Sequence, residues 1–155
     1  MKNIPLWQKL FGFYVYFFPL TETLRVGSRI LDIFPALQYL YLPCLPIITI
    51  KKILPLSDLI LFILIFILII RNQNIDFSCR FNSLQAILLG IMLNLFTYGF
   101  SIIILPLGIS LITSNIQDMI FITSVAFIIF CLIETVQNKL PEIPFISDAV
   151  KMQIY

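Results

Sequence analysis

From Leu59 to Ile70 the sequence reads LILFILIFILII, without one polar or small residue. A helix that is apolar on every side has no face to offer water, so it needs either a large protein core or lipid around it. A core is out of reach. The chain has 155 residues, 60% hydrophobic and 12% charged, where a soluble domain carries about 25% charged residues. Mean hydropathy is +1.03. Lipid is the solvent that suits it, and one crossing takes about 20 apolar residues. The sequence therefore predicts an all-α, multi-span helical membrane protein. About four transmembrane helices fit in this length, forming one integral membrane domain over residues 1–155.

Four apolar regions are expected. The first, about 6–50, is broken by Pro19, Pro35, Pro43 and Pro46, and each proline interrupts regular helix. Between Thr21 and Asp32 it turns amphipathic, with Arg25 and Arg29 one turn apart. That segment is expected to lie at the interface or against other helices. The region then forms one span plus an interfacial helix, or two short broken spans. The second span, about 56–71, starts with Ser57 or Asp58 as cap and ends at Arg71. The third, about 82–106, carries Ser83, Ala86, Gly90, Asn94, Thr97 and Ser101 at steps of three or four, one small-and-polar stripe down a helix. Pro106 and Gly108 close it. The fourth, about 117–137, places Gln117, Ser124, Cys131 and Thr135 on one face. Glu134 lies near its end, beside Gln137, Asn138 and Lys139. A short polar tail, 138–155, follows. Small-polar stripes mark helix contacts or a watery path, and both readings stay open here.

Charge argues topology. The segment Arg71–Arg80 has two arginines, the loop 107–116 has no charge, and the tail has Lys139 and Lys151. The positive-inside rule puts Arg71–Arg80 and the tail on one side. Lys51 and Lys52 then fall on the opposite side, against the rule. Lys2 and Lys9 precede an apolar run, but no small-residue cleavage site follows, so the run is expected to be retained.

Chemistry is scarce. The sequence has no His, which removes the commonest general base and metal ligand. Cys44, Cys79 and Cys131 are too scattered for a zinc or disulfide pattern. Two are read as span-filling residues and Cys79 as a loop thiol. No nucleotide-binding or protease motif occurs, and net charge of +2 gives no reason to expect nucleic acid. Neither catalysis nor a cofactor is expected.

A series of short motifs goes further. Arg80-Phe81-Asn82-Ser83-Leu84-Gln85-Ala86-Ile87-Leu88-Leu89 resembles the RFN-x-x-QAILL signature that opens the third span of Tic-twenty proteins, the channel-forming family of the chloroplast inner-envelope translocon. Ile70-Arg71-Asn72 is similar to the family's VRN span end. Phe34-Pro35-Ala36-Leu37-Gln38 and Leu42-Pro43-Cys44-Leu45-Pro46 resemble its FPALQ…LPLLP stretch, and Tyr16-Phe17-Phe18-Pro19-Leu20 its YLLPL. Ile143-Pro144-Phe145-Ile146-Ser147-Asp148-Ala149-Val150 with Gln153 resembles the tail motif. Many relatives are acidic where this chain has Gly90, which here extends the close-packing stripe.

The resemblance implies a subunit of a protein-import translocon in the plastid inner envelope, with both termini on the stromal side. Its partners would be other translocon subunits, precursor proteins in transit and membrane lipid. The lack of a Ser- and Arg-rich leader then implies a plastid-encoded, algal-type form. A small-solute transporter and a membrane-embedded enzyme are the alternatives. On physical grounds Arg80 suits snorkelling or phosphate contact at the membrane border, Asn82 or Ser83 suits helix N-capping, and Gln85 a hydrogen bond to a neighbouring helix. Ser83, Gly90, Asn94, Thr97, Ser101, Ser124 and Thr135 are the candidates for path lining or helix packing.

Overall fold

The computed structural model describes residues 5–54, 56–103 and 110–154. All regular structure among them is helical: α1 (Leu6–Tyr14), α2 (Phe17–Val26), α3 (Ser28–Ile33), a 3-10 segment (Pro35–Leu40), α4 (Tyr41–Ile53), α5 (Ser57–Ile65) continued by a wider π turn (Phe66–Ile70), α6 (Phe77–Ile103), α7 (Ser110–Val136) and α8 (Ile146–Ile154).

Two helices are long and apolar enough to cross a membrane by themselves, within Phe77–Phe100 and Thr113–Val136. Each of α6 and α7 has 27 residues, about 40 Å at 1.5 Å per residue. They run antiparallel: Gln85 meets Cys131, and Phe100 and Ile103 share a groove with Ile116. A third apolar stretch is broken instead of straight. Pro35–Ile53 and Ser57–Ile70 meet at 116° and together carry the apolar length of one span. The remaining proline-broken chain is cut into pieces of six to ten residues. The multi-span, all-α class therefore holds, with α1 to α3 laid along the α6–α7 pair from Gln8 beside Asp76 to Arg29 beside Asp118, and the Pro35–Ile70 part folded back on itself.

The boundaries of the long helices differ from the expected ones. α6 begins at Phe77, not near residue 82, because Asp76 caps it: the Asp76 Oδ2 accepts the Ser78 N–H at 3.0 Å. Asn82 and Ser83 are consequently interior helical residues and cap nothing. Cys79 is a buried residue of the first turns rather than a loop thiol. α7 starts by Ser110, so most of the expected 107–116 loop is helix; the Pro106 and Gly108 stop lies outside the described residues. At its other end, Asn138 adopts φ 57°. The Asn138 N–H bonds the Thr135 carbonyl at 3.1 Å and the Lys139 N–H the Glu134 carbonyl at 2.9 Å, the paired closure of a Schellman end. In α5, Ser57 and Asp58 are not the cap. Leu56, at φ 55°, precedes the helix and no side chain caps it.

The core lies around α2, which packs against α4, α6 and α7. Phe18 to Leu24 are all buried. Gly90 at the midpoint of α6 lets this happen: a Cβ there would sit 3.0 Å from the Phe18 ring. Lower down, a Cβ on Gly27 would fall 2.0 Å from the Phe121 ring of α7. The amphipathic Thr21–Asp32 stretch thus divides: its first half is core against other helices, and Arg29 reaches Asp118 at 3.2 Å. Leu59, Ile60, Ile63, Leu64, Ile67 and Leu68 of α5 are exposed, as a lipid-facing run requires.

Candidate functional site

The signature residues converge where α6 begins, α7 ends and the tail returns. Gln85 is fully buried. Its Nε2 donates to the Pro141 carbonyl at 2.9 Å and lies 3.6 Å from the Cys131 Sγ. Its Oε1 accepts from the Ser147 hydroxyl at 3.2 Å. Ser147 Oγ in turn accepts the Ile143 N–H at 2.7 Å, which shapes the bend leading into α8. Two motifs 62 residues apart thus close one hydrogen-bonded knot. Phe81, Ala86, Ile87 and Val150 fill the apolar space around it, each at most 0% exposed.

α1 completes this layer. Asn82 Oδ1 accepts from the Tyr16 hydroxyl at 3.3 Å, and the Asp76 N–H donates to Gln8 Oε1 at 3.0 Å. Gly12 lets α1 approach, since a Cβ there would lie 3.3 Å from the Asn82 amide nitrogen. A small polar cavity of about 80 Å³ remains among Gln8, Gly12, Asp76, Asn82, Thr135 and Asn138. Arg80 is part-buried, and its Nε donates to the Ile70 carbonyl at 2.7 Å. It ties the start of α6 to the end of the bent Pro35–Ile70 pair.

The small-polar stripes behave differently. Ser83, Thr97, Ser124 and Thr135 each donate to the carbonyl four residues earlier, at 2.6–2.8 Å. A hydroxyl bonded back to its own helix has used its one proton there and meets a neighbour as an acceptor. Gly90 faces Phe18 and Pro19 of α2, and Ser83 and Ala86 are fully buried. Asn94 and Thr97 are half-buried, and the side chain of Ser101 lies outside those described. Ser124 lies in an apolar groove of about 440 Å³ between α6 and α7, with Leu89, Leu93, Phe96, Ile120 and Phe127. The structure therefore does not bring the α6 and α7 stripes onto one surface.

The family profile described as "Chloroplast import apparatus Tic20-like" matches residues 2–150. The chain belongs to the Tic20 family. It is 35% identical to a Tic20 family protein of Synechocystis sp. over 95% of this chain and 92% of that protein. It is 29% identical to the Tic20 family protein Ycf60 of Porphyra purpurea, over 90% and 71%. It is 25% identical to Protein TIC 20-v, chloroplastic, of Arabidopsis thaliana, over 90% and 67%.

In this Tic20 chain the tail motif splits by role. Ser147 enters the knot, whereas Pro144, Asp148 and Ala149 are exposed, beside Phe145, 87% exposed at φ 67°. One charged cluster escaped the sequence reading. Lys51 of α4 pairs with Glu22 of α2 and, at 2.8 Å, with Asp58 of α5. It also donates to Thr21 Oγ1 at 2.9 Å and sits 4.5 Å above the Phe18 ring. The signal was the Lys51-Lys52 pair and Glu22, each within an apolar region, where an ionisable residue calls for a named partner. The expected conflict over Lys51 takes on a structural meaning here: the lysine is bound inside the fold.

Proposed function

We propose that this Tic20-family chain is a non-enzymatic subunit of a protein-import translocon in the plastid inner envelope. It helps form the path for precursor proteins, together with other translocon subunits. The observation that carries this reading is the family match along almost the whole chain. The structure lends support through the signature residues, which build the joint holding α1, α6, α7 and the tail together rather than a reactive centre. Fold alone does not give function, so the path needs its own test.

Ser83, Gly90, Ser124 and Thr135 act in packing, and Asn94 and Thr97, with Ser101 one turn on, border the path. Asn94 and Thr97 support this, because they stand half-open on the part of α6 that α1 leaves uncovered. Neutral polar groups hydrate a passing chain without trapping charged segments. A photoreactive side chain at Asn94 is expected to cross-link to a precursor arrested in transit, and one at Ile65 to capture lipid. Capture of only other subunits at Asn94, with the precursor demonstrably in transit, overturns the assignment of this face.

A further inference from the structure

The charges of the N-terminal region lie at a depth where a bilayer holds none. Gly90 is the midpoint of α6. The Phe18 ring rests on Gly90, and Lys51 Nζ rests over that same ring. The Lys51–Glu22–Asp58 cluster therefore sits level with the middle of a helix that spans the membrane. It joins one cation to two carboxylates, and the Asp58 side chain is 50% exposed.

More charge surrounds it. Arg25 and Lys52 are exposed, and among the described residues neither has an acidic partner. The Arg29 side chain is 52% exposed against Asp118, which lies inside the apolar window Thr113–Val136 of α7. On the other flank, at the same level and beyond it, α6 shows Leu95, Ile102 and Ile103, and α7 shows Leu111, all more than 60% exposed. Among the described residues the α6–α7 side thus shows apolar side chains here, whereas the N-terminal flank sets its charges among exposed Ile53 and Leu56.

Helix length agrees. α2 has 10 residues and α4 has 13, about 15 and 20 Å, and α4 and α5 turn back on each other at 116°. α4 and α5 do not continue towards the Ile103–Ser110 end; α2 and α3 do, from Phe18 beside Gly90 to Gly27 beside Phe121 and Arg29 beside Asp118, but that part of the chain carries Glu22, Arg25 and Arg29. The opposite end is closed by the polar knot and α1. Unpaired charges at mid-span are kept only where water or headgroups reach them, and short segments are met by local thinning of the bilayer.

We infer that the α2–α4–α5 flank thins the bilayer, and that water and lipid headgroups reach mid-span along it from the Ile103–Ser110 side. The inference concerns this chain's own surface and holds whatever the chain carries. It leaves only the α1 and motif half of the membrane as a septum on this flank.

The test is reaction of single introduced cysteines with a charged, membrane-impermeant methanethiosulfonate. The protein is held in oriented proteoliposomes, with the unsubstituted chain as baseline because Cys44, Cys79 and Cys131 are all buried. Lys52→Cys and Arg25→Cys are expected to react from the Ile103–Ser110 side on the order of tenfold or more faster than Leu95→Cys and Ile102→Cys, since the reactive thiolate forms only where water reaches. Leu54→Cys, 41% exposed, gives the same readout without removing a charge and serves if either charge variant fails to fold. Three results overturn the inference: Lys52→Cys and Leu54→Cys as inert as Leu95→Cys; reaction only from the motif side; or equal reaction at all these positions, which puts the bilayer boundary at the charged belt and the α6–α7 end outside.

Discussion

Replacing Gln85 by Leu tests the knot that the two signature motifs tie. The side chain is fully buried, and leucine fills a similar space, so packing changes little. What changes is hydrogen bonding. The Pro141 carbonyl loses a donor at 2.9 Å, and the Ser147 hydroxyl loses an acceptor at 3.2 Å. Ser147 can turn to the Pro141 carbonyl, 3.4 Å away, so one loss is partly made good. Interhelical hydrogen bonds in membranes average about 0.6 kcal/mol each, which sets a floor near 1 kcal/mol for two. Leaving a buried group unsatisfied costs about 1–3 kcal/mol, which sets the ceiling. The tail should therefore open about 5- to 150-fold more often, by RT ln K. Amide hydrogen exchange in nanodiscs reads this directly: Ile143, Ser147 and α8 should exchange faster, while amides in the middle of α6 keep their protection. Ser147→Ala should loosen the same amides, and the double variant should add little to Gln85→Leu, because the pair shares one interaction. Unchanged exchange over 143–154 in Gln85→Leu would refute the claim that this knot holds the tail.

Gly27→Ala forces a methyl into the Phe121 ring and should lower the thermal midpoint in mild detergent by several degrees, whereas Gly99→Ala, with nothing within 4 Å of its added Cβ, should leave it unchanged or raise it, since alanine is the better helix former by about 1 kcal/mol. Lys51→Met strands Glu22, whose side chain is 9% exposed, and should cost about 3–5 kcal/mol in a detergent unfolding titration. Lys51→Met with Glu22→Gln should recover most of that loss, and a double variant no better than Lys51→Met would show that the pair is not coupled. Cysteines at Asn74 and Gln153 should label from one side of the membrane and one at Ser114 from the other; opposite-side labelling of Asn74 and Gln153 would break the antiparallel arrangement of α6 and α7.

The parts of the fold legible in the sequence were those set by local composition. The run Leu59–Ile70 declared its environment by having no polar face, and the steps from Ser83 to Gly90 marked a close-packed side of α6. Helix ends were less readable, because caps depend on a single side chain. Asp76 extends α6 back past Arg80, and that extension removes Asn82 and Ser83 from any capping role. The region 6–50 could not be resolved by periodicity, since its prolines break it into pieces shorter than a span, and only the partners α6 and α7 decide where each piece lies. Gln85 was readable as a polar group seeking another segment, but not its partner, because Pro141 and Ser147 lie beyond a whole intervening helix. Lys51 and Glu22 stayed separate for the same reason: an ion pair 29 residues apart has no sequence spacing of its own.

The knot at Gln85 also imposes an order of events during synthesis. Pro141 and Ser147 leave the ribosome 56 and 62 residues after Gln85, when α6 is already made and α7 has just followed. Until then the Gln85 amide has no tail to bond. A nascent chain at that stage offers the Gln85 amide only the weak Cys131 Sγ acceptor of α7. Arrival of the Ile143–Val150 segment ends the wait. The last motif to be translated thus acts as the closing stitch of the earlier one, and a chain stopped before Pro141 would leave the Gln85 amide without its two strongest partners.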